Sequence, residues 1–288
     1  MEFILFSVLL NAFIFVIFKL FDKYNVDTFQ AIVINYFFAF SVAYYSSEVH
    51  FSITATPQET WFLGAVFLGF LFISMFYVLG LTAQKLGMSV VAVSSKMSVV
   101  IPVLFGIFVY NESTNLYKIV GIVLALLAVY FTSHKEKKII FNKIIIYLPL
   151  ILFIGSGVLD TTLKYIQKRY ISANENSIYL SVIFLIAGVL GALMLMYYLF
   201  AKKSKLSIKN LFAGLFLGIA NYYAMFFLLK ALQINGMDSS TVFTINNVAI
   251  VLLSTIFGLV FFKEKLSKMN VFGIALAIIS IVMITISI

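Results

Sequence analysis

The 288-residue chain contains no cysteine, which excludes disulfides and thiolate metal centres and leaves the redox compartment unreadable. Charge is scarce as well: Asp, Glu, Lys and Arg together make up 11%, against about a quarter in soluble domains. Histidine occurs only as His50 and His134, both in polar connecting stretches. There is no His-Glu-x-x-His, no glycine-rich phosphate loop and no Gly-x-Ser-x-Gly elbow. An intramembrane aspartyl protease would need two acids at membrane depth, and Asp160 is the single clear one, since Asp238 lies near a segment end. The chain is therefore read as no enzyme, without cofactor or metal. Its longest polar connections, 46–60, 133–143 and 201–209, are too short to hold a soluble domain, which argues against a receptor or scaffold.

What the chain has in abundance is apolar mass: 63% hydrophobic residues and a mean hydropathy of +1.10. A soluble fold of this size cannot hide that much apolar surface, so the solvent must be lipid. A helix needs about 20 apolar residues to cross roughly 30 Å of hydrocarbon. Ten continuous apolar segments meet or approach that length: 2–21, 29–46, 61–83, 88–110, 116–132, 144–165, 177–200, 210–232, 238–262 and 268–287. A membrane β-barrel would instead show short alternating segments. The expected fold is an all-α polytopic membrane protein. The first segment begins at Glu2 with no basic leader and no small-residue cleavage site, so it reads as a retained span and not a signal peptide.

The chain also repeats itself. Gly64-Ala-Val-Phe-Leu-Gly69 is echoed by Ala213-Gly-Leu-Phe-Leu-Gly218, and Leu86-Gly87-Met88 by Asn235-Gly236-Met237, both at a spacing of 149. Gly106, Glu112 and Gly121 recur as Gly258, Glu264 and Gly273. The expected organisation is a five-helix repeat over 1–134, a basic connecting loop over 135–143, and a second five-helix repeat over 144–288. An odd number of spans per half turns the second half over, giving an inverted repeat of the kind that builds a midplane site in secondary transporters.

The formal charge of +9 serves first as a topology signal. Of the 20 basic residues, only Lys96 lies clear of the segment ends. Lys19, Lys23, Lys85, Lys135, Lys137, Lys138, Lys143, Lys202, Lys203, Lys205, Lys209, Lys263, Lys265 and Lys268 flank the odd-numbered loops. The even loops have Lys118, Lys164, Lys168, Arg169 and Lys230. This imbalance places the odd loops in the cytoplasm and both termini outside.

Lys96 stands about eight residues, or about 12 Å, into the fourth segment, close to the midplane. A lysine there is costly unless it is paired, hydrated or facing a cavity. Two readings are open: it lines the path and attracts an anionic group, or it forms a buried ion pair with Asp160. Asp160 in turn lies four residues before Lys164, so a local pair on one helix face is its bland explanation and proton coupling or charge balance its functional one. Ser95 supplies a hydroxyl beside Lys96. Asn246 and Asn247 occupy the corresponding register of the ninth segment, where pseudo-symmetry would place the other wall of a site. Asn11, Asn35, Tyr77, Asn221 and Tyr222 are further wall candidates, each more often packing than contact. Pro102 removes a backbone hydrogen bond from the fourth segment and is the expected hinge. Gly64, Gly69, Gly214 and Gly218 are expected to seat close helix packing. Glu112 and Glu264 are expected to cap or order the helix that follows each, ahead of any role in binding substrate.

Pro102-Val103, Glu112 and Gly121 in the first half, with Glu264 and Gly273 in the second, resemble the repeated pattern of the drug/metabolite transporter superfamily, specifically its ten-span EamA-type members. The resemblance covers essentially the whole chain and departs from the pattern in lacking a proline in the ninth segment. It implies a basket of helices around a central cavity, a functional monomer, and export or exchange of a small metabolite. Such members are expected to have their termini inside, so the lysine count and the resemblance disagree on sidedness. The resulting expectation is a secondary transporter of a small polar, amino-acid-like or carboxylate-bearing metabolite in the bacterial inner membrane. Protons are a candidate coupling ion, the partners are membrane lipids and the substrate, and no nucleic acid is involved. The alternative is a flippase for a lipid-linked or amphiphilic substrate.

Overall fold

A computed structural model of the chain describes residues 2–47, 56–110, 115–133, 143–171, 175–202, 206–232 and 239–286. Within them the first half forms α1 (Glu2–Lys23), α2 (Thr28–Tyr45), α3 (Phe62–Leu86), α4 (Met88–Lys96), α5 (Val100–Tyr110) and α6 (Leu116–Ser133). The second half forms α7 (Lys143–Tyr170), α8 (Asn176–Lys202), α9 (Ile208–Leu232), α10 (Ser239–Phe262) and α11 (Lys268–Ile286). Among the described residues there is no strand. Among the described residues eight segments are long and apolar enough to cross a membrane, with α4 and α5 counting as one from Met88 to Phe105. Leu116–Thr132 and Lys268–Ile284 are apolar but shorter. Glu112, the Asn235–Asp238 stretch, His50 and His134 lie outside the described residues.

Polar side chains punctuate the helices where backbone donors would go unpaired. Asp27 caps α2 by accepting the Gln30 N–H at 3.0 Å, and Asn115 caps α6 by accepting the Lys118 N–H at 2.9 Å. Ser267 and Asn270 satisfy one another's backbone N–H groups at 3.2 and 3.0 Å, a capping box that starts α11. Between the caps, one stripe of each helix meets protein and the other meets lipid. On α6, Tyr117, Val123, Leu126, Leu127 and Tyr130 are exposed while Ala125 and Ala128 are fully buried against α11. Bulky apolar groups on the outside and small ones between helices are the pattern a bilayer selects, because lipid gives no reason to hide them.

Packing runs mostly between the halves. α1 lies on α9 and α10, α2 on α8 and α9, α3 on α7 and α8, α4 on α7 and α10, and α6 on α11. Exchanging each helix for its repeat counterpart maps this pattern onto itself: α1–α9 becomes α7–α3, and α2–α9 becomes α8–α3. The glycines show the relation at atomic level. Gly121 of α6 nestles against Ile284 and the Ser280 carbonyl of α11, and Gly273 of α11 against Thr132 and the Ala128 carbonyl of α6. As numbering rises from Gly121 to Thr132, its partners fall from Ile284 to Gly273, so these counterpart helices run antiparallel. α2 and α8 do the same, with Val33 at Gly191 and Phe37 at Gly188. The repeats are inverted, and the halves are interleaved.

Candidate functional site

The fourth span is broken in the middle. α4 ends at Lys96, Met97–Val99 form a tight 3-10 turn, and α5 resumes at Val100. Pro102 accounts for the position of the break: it has no N–H to give the carbonyl four residues back, that of Ser98, and its ring crowds that carbonyl. Two hydroxyls reoccupy the disturbed ladder. Ser95 donates to the Ala92 carbonyl at 3.3 Å, and Ser98 donates to the Ser95 carbonyl. Lys96 therefore sits at the C-terminal end of a helix, where the carbonyl ends favour a cation. It is half-buried and makes no hydrogen bond or ion pair to any described residue.

Asp160 is presented to this break by α7. Tyr147, Leu150, Ile151 and Ile154 form the lipid face of that helix, whereas Leu152, Phe153 and Gly157 are buried on its bundle side. Asp160 is seven residues beyond Phe153 and three beyond Gly157, so it continues the bundle side. Yet it is exposed. Its carboxylate is therefore accessible on the side of α7 that faces the break. Gly157 lets α7 approach Ile101 of α5, and one turn on, the Ser98 hydroxyl reaches the Asp160 Oδ2 at 3.5 Å. Ser98 is two residues beyond Lys96, so the contact brings Asp160 to the same break as Lys96, but no ion pair of 4.0 Å or less closes between them.

The remaining predicted residues divide into two groups. Asn246 and Asn247 are buried on α10, which packs on α4, and the Asn246 Oδ1 has no hydrogen-bond partner among the described residues. The other group is engaged in the bundle itself. Asn11 donates to the Ser7 carbonyl of its own helix at 2.9 Å, and Asn221 donates to Asn35 of α2 at 3.3 Å. Tyr222 is fully buried and stacked on Phe226, its hydroxyl near Ser46 and Ser177 without bonding either. Tyr77 is partly exposed and meets Phe29 edge-on. Ser98 belongs to the run Ser94-Ser95-Lys96-Met97-Ser98, whose hydroxyls surround Lys96 in sequence, but nothing local distinguishes it from its neighbours as the one that reaches Asp160.

Glu264 differs from expectation. It does not cap α11, which Ser267 and Asn270 cap; both its carboxylate oxygens accept the Met88 N–H of α4 at 3.1 Å, and it pairs with Lys19 of α1 at 3.2 Å. The fold brings α10 back beside the start of α4, a proximity no local sequence window contains.

The profile of the EamA-like transporter family matches the chain twice, over residues 2–134 and 144–286. The chain belongs to the EamA-like transporter family. It is an integral, multi-pass membrane protein of the drug/metabolite transporter superfamily, whose EamA-like members are transporters and not enzymes. An uncharacterized protein of Haemophilus influenzae is 25% identical to it over 289 residues, covering 96% of this chain and 95% of that one. A solved crystal structure superposes on the EamA-like chain with a TM-score of 0.61, covering 98% of this chain and 94% of its own, at 14% identity. That likeness is one of fold.

Proposed function

We propose that this transporter moves a small polar metabolite carrying a carboxylate and an ammonium group, of amino-acid-like chemistry, by alternating access around the α4–α5 break. The observation that carries the reading is the geometry of Lys96 and Asp160: opposite charges near one another at membrane depth, left apart. Two opposite charges held apart at membrane depth are costly, and a zwitterion between them supplies a partner to each. Lys96 takes the substrate carboxylate and Asp160 its ammonium, with the Ser98 hydroxyl beside Asp160. Asn246 offers an unpaired carbonyl oxygen to a polar substituent. When the site is empty, Asp160 balances Lys96.

Transport of this kind is secondary, an export or exchange driven by the substrate's own or a coupled gradient, since the sequence carries no nucleotide-binding motif. The protein sits in the cytoplasmic membrane of a bacterium, with the lysine-rich loops at the cytoplasmic face and one chain sufficient for function. Ligand-induced thermal stabilisation of the detergent-solubilised protein across a metabolite library identifies the substrate, because a ligand that binds only the folded state raises its apparent stability. In proteoliposomes, Lys96→Met and Asp160→Asn each abolish uptake of that ligand while the purified protein keeps its melting temperature. Folded variants with normal uptake would refute the assignment. Movement of a lipid probe across the bilayer, with no stabilisation by soluble metabolites, would replace this reading with a flippase.

A further inference from the structure

Glu264 is held by features that packing alone does not call for. Lys263 takes φ +50°, a left-handed conformation unusual for a residue other than glycine, and the Glu264 N–H returns to the Gly258 carbonyl at 3.0 Å. This reversal at the end of α10 turns the Glu264 side chain across onto α4. Two glycines make room for it: a Cβ on Gly87 would stand 2.9 Å from the carboxylate, and one on Gly258 2.7 Å. Gly87 itself has φ +102°, so a side chain there is excluded twice over. The seated carboxylate then accepts the first free N–H of α4 and pairs with Lys19, whose ammonium also donates to the Ala83 carbonyl at the end of α3 at 3.4 Å. One group thus joins α1, α3 and α4 of the first half to α10 of the second, at the lysine-rich end of the bundle. The pair is mostly shielded, with side-chain exposures of 21% and 13%, so it is not a solvated surface contact of negligible strength.

We infer that Glu264 and Lys19 form the latch that holds the lysine-rich end closed. The inference rests on the alternating-access reading: an end can open to substrate only if α4 and α10, which flank the Lys96 region, separate there. Separation must pull the carboxylate from Met88 N–H and from Lys19 together, because one side chain makes both contacts. Glu264 and Lys19 are accordingly positioning residues for the transport cycle and touch no substrate.

The absence of native cysteine allows a direct test. Ser89, the second residue of α4, is buried and directly follows Met88, whose N–H the latch holds, and Ser280 of α11 is buried in the α6–α11 contact away from it. Single-cysteine proteins S89C and S280C are reconstituted and exposed to a water-soluble thiol reagent with no substrate present. Glu264→Gln and, separately, Lys19→Met should raise labelling of S89C about tenfold, the equivalent of one lost interaction of about 1.4 kcal/mol, and leave S280C protected. The double variant should add little to either single one, since both break the same device. Unchanged S89C labelling in both folded variants would overturn the latch. So would equal increases at S89C and S280C, which would mark general loosening. The readout needs no ligand, so failure here leaves the Lys96–Asp160 site standing, and loss of that site leaves the latch standing.

Discussion

Three glycines that look alike in sequence should respond to alanine in opposite directions. Alanine in place of a helix-interior glycine is worth about 0.5–1 kcal/mol of stability where space allows. At Gly188 of α8 space does allow: the new Cβ would lie 3.4 Å from the Phe37 ring, an ordinary contact. At Gly218 of α9 it would lie 2.6 Å from the Asn35 carbonyl oxygen, 2.9 Å from the Phe38 Cβ and 3.2 Å from the Ala39 nitrogen. Two of those atoms are backbone and cannot swing away. Restoring a normal contact of 3.4 Å means backing α9 off α2 by about 0.8 Å along their interface, and overpacking of that kind costs about 1–3 kcal/mol. Gly69 is intermediate: its 2.9 Å and 3.2 Å contacts, to the Ile186 Cβ and the Ala187 nitrogen, are as fixed as those at Gly218, but its 2.6 Å contact is to the Ile186 Cγ2, which can turn aside, and not to a backbone oxygen. Thermal melting of the three alanine variants in one detergent should therefore rank Gly188→Ala at or above the parent, Gly69→Ala below it, and Gly218→Ala lowest. The outer two should differ by about 2 kcal/mol. Gly218→Ala melting at or above the parent, or Gly188→Ala melting below it, would refute the reasoning.

Pro102→Ala restores the N–H that the Ser98 carbonyl lacks and lets α4 run into α5. Transport in proteoliposomes should fall at least about tenfold, with no loss of melting temperature, because the site and not the fold depends on the break. Asn221→Ala removes the hydrogen bond to Asn35 and should cost about 0.6–1.7 kcal/mol in the melt while leaving ligand-induced stabilisation intact.

Much of this architecture is legible along the chain. The ten apolar segments fall where the helices form, since a run of about 20 apolar residues has one stable conformation in lipid, whatever its neighbours are. The repeated Gly69 and Gly218 are close-packing points in both halves, at α3–α8 and α9–α2, and Gly121 and Gly273 likewise exchange roles across α6–α11. Lys96 and Asp160 stood out because a charge at membrane depth is rare enough to be noticed singly. Ser98 did not, because a serine in an apolar helix has a local use in bonding its own backbone, and only a second helix reveals another.

By itself, then, the sequence determined everything that depends on the solvent and on local periodicity: helices, their lengths, the lipid as surroundings, the duplication, and which charges are out of place. The tertiary structure decided which of these groups meet. Asp160 continues a buried helix face yet is exposed beside Ser98, and Glu264 seats on Gly87 and Met88 and not on the helix it precedes. The reason is distance along the chain. Asp160 and Ser98 are separated by 62 residues and Glu264 and Met88 by 176, and such contacts arise only when inverted, interleaved halves pack across one another.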